Sequence, residues 1–400
     1  MQASHNASPT MPGKFVPNSA IKTLYSVGIL IGVLAFSAGI MRDPQRIWFS
    51  YLVSFFYFLC LGLGGLFFAS LQHLTNAGWS VNIRRISESL AAFLPVGAVA
   101  ALILIFGSKH LYVWLDAKEV AHDAVLAAKQ SYLNFGFFVL RLVVFMGLWL
   151  GFSKLIIGNS IKQDSNGDEK LSIKNNALSV VFILLFALSF SLFSVDAIMS
   201  LEPHWYSTIF GIYCFAGLFQ SSLSLITIIT IYMIKQGLLR GLVSDHHLHD
   251  LGKYMKAFTV FYAYIAFSQF MLIWYANLPE ETIFYLNRAN GGWLLISWSI
   301  LIFKFIVPFL LLLPKWAKRS QSQLILVGLI ILIMQYVDIY WLVYPNLDSN
   351  SVQFGWQEIG VFMGFLGLFT LAVTRFLTKN NLVPIRDPRI QESIHHEVTY

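Results

Sequence analysis

The chain has 400 residues, of which 57% are hydrophobic and 12% charged. Soluble domains carry roughly 45–50% apolar and about 25% charged residues, so this balance excludes an ordinary water-soluble domain. The net charge of +7 is explained by Lys and Arg gathered at one set of helix ends, so it gives no reason to invoke nucleic acid.

Ten long apolar stretches follow one another along the chain, at 22–40, 46–70, 90–107, 132–157, 177–195, 207–234, 257–276, 292–313, 324–344 and 357–374. A helix needs about 20 apolar residues to cross a hydrocarbon core about 30 Å thick. Backbone polar groups cannot go unpaired in lipid, so each stretch is expected to be a helix. A barrel would alternate apolar and polar residues over strands of about 10 residues. Runs such as Ser179 to Phe193 do not alternate. The expected fold is all-α and polytopic, with a cytoplasmic arm at 1–20, a membrane domain at 21–376 and a cytoplasmic tail at 377–400.

Ten crossings put both termini on one side. The segments on that side hold 19 of the 27 Lys and Arg residues, and those on the other side hold 6. Basic residues mark the cytoplasmic loops of membrane proteins, so both termini are expected in the cytoplasm. The apolar run from Leu24 to Met41 is longer than the core of a secretory signal and has no small-residue cleavage site, so it is expected to remain. The arm (with Pro9, Pro12 and Pro17) and the tail (with Pro384 and Pro388) read as mobile. The loops 162–176 and 236–256 read as polar. The second holds Asp245, His246, His247, His249 and Asp250, a set that resembles a metal cluster but reads better as a solvated or subunit-contacting loop. His395 and His396 likewise read as solvated tail residues rather than metal ligands.

Three ionisable groups fall inside apolar helices: Arg141 in the fourth, Lys304 in the eighth and Asp338 in the ninth. A charge at the bilayer centre costs about 2.5–3.5 kcal/mol on insertion scales, so such groups face a partner or a watery cavity. Arg141 and Asp338 lie at compatible depth and could pair. A proton path and a structural ion pair stand side by side as readings. On the seventh helix Tyr262, Ser268 and Gln269 fall near one stripe, which suits either a chain of waters or interhelical hydrogen bonds. Between helices five and six, Asp196, Glu202 and His204 cluster closely in sequence, and His titrates near neutral pH. Trp205 and Tyr206 beside them suit the interfacial aromatic belt. The acidic corner Glu280–Glu281 lies on the same side.

No histidine sits deep in a predicted helix, with His73 and His110 just past helix ends, so haem is not expected. Two cysteines, Cys60 and Cys214, are too few for an iron–sulfur cluster. The first four-helix unit offers only Arg141 as an interior charge. Leu61-Gly62-Leu63-Gly64-Gly65 and Gly360-x-x-x-Gly364 read as close helix packing within the bundle. Pro95 and Pro308 are isolated and poorly matched, which argues against the paired broken helices of a transporter.

Two segments carry a resemblance. Asp196-Ala197-Ile198-Met199-Ser200-Leu201-Glu202-Pro203-His204-Trp205 with its continuation to Tyr213, and Phe258 to Glu281, closely resemble the F-type subunits of bacterial alternative complex III. These are the second of two polysulfide-reductase-like (NrfD-type) membrane subunits of a quinol:electron-acceptor oxidoreductase. The resemblance covers about residues 20–380 and departs at Ala197, where a Trp is expected. It implies two four-helix bundles, helices two to five and six to nine, flanked by helices one and ten. The implied partners are a quinone-binding NrfD-like membrane subunit, a periplasmic iron–sulfur subunit and haem c subunits. Haem c, iron–sulfur clusters and quinone would sit in those partners, with no cofactor on this chain. The implied role is a non-catalytic subunit of the bacterial inner membrane that supports assembly and proton translocation. A quinol-oxidising subunit, with a weak site beside Asp196 and His204, and a stand-alone transporter remain as alternatives.

Overall fold

The computed structural model describes residues 12–397, and those residues form helices without a strand. Ten helices are long and apolar enough to cross a membrane. They are α1 (Ser19–Arg42), α2 (Pro44–Leu74), α3 (Val81–Leu111), α4 (Phe135–Asn166), α5 (Lys170–Leu201), α6 (Phe210–Lys235), α7 (Asp245–Ala276), α8 (Trp293–Leu311), α9 (Gln321–Asn346) and α10 (Trp356–Lys379). The protein is an all-α, polytopic membrane protein. The face that holds both chain ends is called the terminal face, and the opposite one the far face.

Local sequence sets where the helices begin and end. Asn18 caps α1 by accepting from the Ile21 amide. Asp43 alone separates α1 from α2; its carboxylate accepts from the Arg46 amide, and Pro44 takes the first helical position, where its missing N–H costs nothing. Asn134 opens α4, and Gly167 closes it at φ 67°, a conformation that favours glycine. Asn277, at φ 48°, ends α7 just before Pro279.

α2 is the axis of the molecule: every residue in its most apolar stretch is buried. It packs on α3 and α5 in a first bundle (α2–α5) and on α6 and α9 of a second (α6–α9), with α10 also against it. Gly64 of α2 lies where a Cβ would collide with Ser222 of α6, and Gly65 lies against the Ser87 carbonyl of α3. α1 lies along α10, where a Cβ on Gly32 would overlap the Gly364 Cα. Both glycine motifs thus serve contacts inside this chain.

Several boundaries differ from the sequence reading. α3 begins at Val81, nine residues before the expected start, and is interrupted at Ala92–Phe93 ahead of Pro95. Its first part, Val81–Ala91, is fully buried although it carries Arg84, Arg85 and Glu88. A hydropathy window passes over such a segment because its polar groups pair with one another rather than with water. α8 passes through a π turn at Leu301–Ile306 before Pro308. Two spans are therefore interrupted near prolines, contrary to the continuous helices expected. The polar loop 236–256 is helical from Asp245 onward, and His247 accepts from the Ser244 amide at the start of α7. Only Gly167–Glu169 separates α4 from α5. His73 and His110 lie in the last turns of α2 and α3 rather than past them.

Described parts of both terminal segments are docked on the bundle. Residues 1–11 and 398–400 lie outside the described ones, but Phe15 is buried with its ring 6.5 Å from that of Tyr232. The tail returns to the terminal face. Asp387 pairs with Arg84, Ser393 Oγ donates to the Trp79 carbonyl (2.8 Å), and His396 Nε2 meets Asp250 Oδ2 at 2.6 Å. Buried charges on α3 and α7 hold the tail, so it is not the mobile segment that its prolines and polarity suggested.

Candidate functional site

The second bundle has a charged centre. Pro308 has no N–H, so the carbonyl of Lys304, four residues earlier, loses its helical donor. Gln220 Nε2 of α6 donates to that carbonyl instead, at 3.2 Å. The local π turn suits such a gap, because inserted π turns re-aim side chains and recur at functional sites. Lys304 Nζ reaches Asp338 Oδ2 of α9 at 2.6 Å, and both side chains are buried. The other oxygen, Oδ1, accepts from Tyr213 of α6 (2.5 Å) and Tyr262 of α7 (3.1 Å). The two phenol oxygens are 2.9 Å apart, and Lys304 Nζ lies 3.7 Å from the centre of the Tyr262 ring. All four helices of the bundle meet at one carboxylate.

Polar groups continue from this centre in both directions. Toward the terminal face, Gln220 Nε2 also donates to Thr259 Oγ1 (3.1 Å), and Ser224, Thr227 and Thr230 follow down α6 at helical spacing. Each of these hydroxyls donates to the carbonyl four residues back, leaving its oxygen free to accept. The side-chain oxygens of Gln220 and Gln335 are buried without a protein donor. Buried acceptors of this kind are the usual anchors of internal water. Toward the far face, Gln269 Oε1 accepts from Ser207 Oγ (3.1 Å), and its amide approaches the Tyr285 hydroxyl at 3.5 Å. Tyr262 and Gln269 share the buried stripe of α7 with Ile265 and Ile273, whereas Ser268 is half-buried beside it.

The first bundle has a separate pair. Arg141 of α4 grips Asp196 at the end of α5 through two bonds, Nε–Oδ2 at 2.7 Å and Nη2–Oδ1 at 3.0 Å. Nη1 donates to the Tyr132 carbonyl, and the guanidinium lies 3.8 Å and 4.3 Å from the Tyr132 and Phe137 ring centres. The pairing of Arg141 with Asp338 that their depth allowed does not occur. Depth was compatible, but α4 and α9 belong to different bundles, and each charge finds its partner within its own.

Asp196, Glu202 and His204 also do not form one cluster. Asp196 is held by Arg141. Glu202 faces Arg288 at 3.6 Å and Asn287 at 3.3 Å, while His204 Nε2 meets Asp123 Oδ2 at 2.5 Å. Backbone amides of Leu126 and Val125 lower the Asp123 carboxyl below its ordinary value despite the cost of desolvation, and His204 adds to this. Burial lowers the Arg288 guanidinium to about 10, against the pull of Glu202. Arg288 also donates to the carbonyls of Phe284, Trp341 and Leu342 and so ties the segment between α7 and α8 to the far-face end of α9. Trp205 stacks on Phe284 with centres 4.1 Å apart and is buried, so it packs the far-face loops instead of joining the aromatic belt. Tyr206 is exposed and Glu280 faces solvent.

A third cluster escaped the sequence reading. Arg85 bonds Glu88 (3.0 Å) and Asp164 (2.8 Å), Glu88 accepts from Ser160 (2.8 Å), and Arg84 pairs with Asp387. Burial pushes the Asp387 carboxyl up, but the charge and hydrogen bond of Arg84 and the Arg389 amide together bring it below its ordinary value. Arg141 is thus not the only interior charge of the first bundle. A second missed network stands at the far face, where Glu358 of α10 accepts from Arg46 (2.8 and 3.0 Å) and Tyr344 (2.5 Å). The spacing of Arg84, Arg85 and Glu88 on one helical turn was the available signal for the first. Arg46 and Glu358 are too far apart in sequence to offer one.

Cys60 and Cys214 are buried thiols, and no group of three or more His, Cys, Asp or Glu side chains converges to hold a metal among the described residues. Compared with known proteins, the chain matches no family model and no curated sequence.

Proposed function

We propose that this chain is a non-catalytic membrane subunit of a respiratory quinol:electron-acceptor oxidoreductase, similar to the F-type subunits of alternative complex III, and that it moves protons. It would sit in a bacterial cytoplasmic membrane with both termini inside. Its partners would be a quinone-binding NrfD-like subunit, an iron–sulfur subunit and haem c subunits, which carry the electrons. The observation that carries the reading is the Lys304–Asp338 pair, flanked by Tyr213 and Tyr262 and continued by polar side chains toward both faces. A proton arriving on Asp338 cancels its attraction to Lys304, and loss of that proton restores it. Such a coupled pair can alternate between two hydrogen-bond arrangements without any redox group of its own.

The test is the number of protons moved per electron by the whole complex in sealed vesicles. The charge-balanced double variant K304M/D338N is expected to leave the complex purifiable and to lower that number, and Asp338→Asn, which leaves Lys304 unmatched, to lower both the yield of complex and that number. An unchanged number would remove Asp338 from the route. The interruptions in α3 and α8 favour a stand-alone transporter as a second reading. Ion or solute uptake by vesicles that hold this chain alone distinguishes the two.

A further inference from the structure

Buried polar atoms that no protein group satisfies are distributed unevenly about Asp338. Toward the terminal face they include Gln335 Oε1 of α9, Gln220 Oε1 of α6 and His249 Nδ1 of α7. Past Asp338 toward the far face, residues 210–213 of α6, 262–276 of α7, 293–304 of α8 and 338–346 of α9 hold none among the described ones. The next, Glu202 Oε2 and Trp205 Nε1, belong to the far-face link between α5 and α6. Lys304 adds to the imbalance. Its ammonium has three N–H donors, and among the described residues it bonds one oxygen, Asp338 Oδ2.

Spacing along the helices separates the two halves further. One water bridges polar groups about 5–6 Å apart, the span of two hydrogen bonds. Gln335 lies one turn before Asp338, and its amide rests on Gly217, where a Cβ would come within 2.6 Å of Oε1. Gln220 is one turn beyond Gly217, and Ser224 and Thr227 follow on the same face of α6. Gln220 meets Thr259 of the antiparallel α7. Thr230 lies ten residues after the one and His249 ten before the other, so these two come to the same level. Each step from Asp338 to that level is three or four residues, roughly 4.5–6 Å at 1.5 Å per residue. Toward the far face, Tyr262 and Gln269 are seven residues apart, roughly 10 Å, with buried Ile265 between them. Phe210, also buried, stacks on Tyr213 with centres 6.3 Å apart and meets the Trp205 ring at 5.8 Å.

We propose that the second bundle admits water from the terminal face and is sealed against it at the far face, so that in this conformation Asp338 exchanges its proton with the terminal side alone. Gln335 and Gln220 hold the innermost waters beside Lys304, the α6 hydroxyls hold the middle of the file, and His249 marks its entrance. Phe210 and Ile265 form the seal. Tyr213, bonded to Asp338 and stacked on Phe210, joins the carboxylate to that seal. The part of Asp338 rests on the function proposed above, whereas the sidedness of the water does not.

The experiment applies Ag⁺, a cation close to water in size, to vesicles that hold the full chain with whatever subunits accompany it. Ser224→Cys and Thr227→Cys place a thiol in the terminal half, and Ile265→Cys places one in the seal. Ag⁺ is added outside vesicles of either orientation. Thiols left uncapped are then alkylated in denaturant and counted site by site by mass spectrometry, which separates them from Cys60 and Cys214. A dry gap imposes on a cation the penalty of entering hydrocarbon, so Ag⁺ at the terminal face should cap S224C and T227C on the order of a hundredfold faster than Ag⁺ at the far face. I265C should stay uncapped from both sides over the same time. Equal or faster capping from the far face, capping of I265C from that face, or no capping of S224C and T227C from either would each overturn the proposal. The unmodified chain gives a second measurement that does not depend on the variants folding. Met255 is wholly buried on α7 between His249 and Thr259. X-ray radiolysis in heavy-oxygen water should oxidise it with the heavy label, because bound water lies beside it, and a Met255 without label would overturn the proposal equally. Neither measurement counts protons, so the sidedness can fail while Asp338 still carries them, and can hold when it does not.

Discussion

Lys304 and Tyr213 divide the two oxygens of Asp338 between them, the ammonium at Oδ2 and the phenol at Oδ1. The carboxylate is therefore held from α8 and α6 at once, while Tyr262 closes the ring from α7. Neither half of the ion pair can be removed without leaving the other buried and unmatched.

That arrangement predicts an asymmetry among variants. Removing one partner of a buried ion pair typically costs about 3–5 kcal/mol, whereas replacing both by apolar groups of similar volume is close to neutral. Lys304→Met is expected to lower the thermal midpoint of the detergent-solubilised protein sharply, and K304M/D338M to recover most of it. Midpoints that fall together in both variants would show that the pair does not act as one unit.

Arg141 predicts a different pattern, because its guanidinium makes two parallel bonds and lies against two rings. Lysine keeps the charge but loses the planar fork and the stacking. Arg141→Lys should therefore destabilise the first bundle almost as much as Arg141→Gln, by roughly 2–4 kcal/mol. Thermal unfolding of the two variants side by side checks this. Full stability in Arg141→Lys would mean that charge alone matters there.

Much of the scaffold was legible beforehand because lipid leaves the backbone one solution. Ten apolar stretches became ten spans, and α1 lies on α10 through the glycine that Gly360-x-x-x-Gly364 pointed to. Arg141, Lys304 and Asp338 stood out because they are isolated in apolar helices, and all three are buried in ion pairs. Their pairing was not legible, since depth along a helix says nothing of the direction in which a side chain points around it. The Arg84–Arg85–Glu88 turn was missed for the opposite reason. Its polarity looked like a loop, and only the contacts with Asp164 and Asp387 from distant parts of the chain allow it to be buried.

The docked tail should respond to acid. Asp387 has its carboxyl lowered in the folded protein, so the unfolded or released tail binds its proton first as pH falls. The contribution of Asp387 to docking is therefore complete well above its ordinary value of 3.8 and is lost as pH drops through the lower folded value. Cleavage of residues 381–397 by an acid protease should be slow at pH 5 and rise only once the pH has fallen below the ordinary carboxyl value of 3.8. Asp387→Asn should be cut readily throughout and show a flatter profile.

Close contact between α1 and α10 gives a matched pair of glycine substitutions. Gly32→Val must push α1 away from Gly364, at a cost of about 1–3 kcal/mol. Gly147 on α4 has open space around its Cα, so Gly147→Ala should be neutral or stabilise by up to about 1 kcal/mol. Unfolding of both variants in the same detergent measures the difference, and equal midpoints would argue against tight α1–α10 packing.

The central position of α2 has a consequence for biogenesis. Its last neighbours are made long after it: Glu358, the counter-ion of Arg46, follows 312 residues later. At about 5–20 residues per second of synthesis, that delay is on the order of 15–60 seconds. During it the cover of the most enclosed helix is completed only stepwise, as α3, α5, α6, α9 and finally α10 follow. The newborn chain therefore depends on insertion factors or early-arriving lipids as temporary neighbours, and ribosome stalling before α9 should leave an intermediate that the membrane's quality-control proteases recognise.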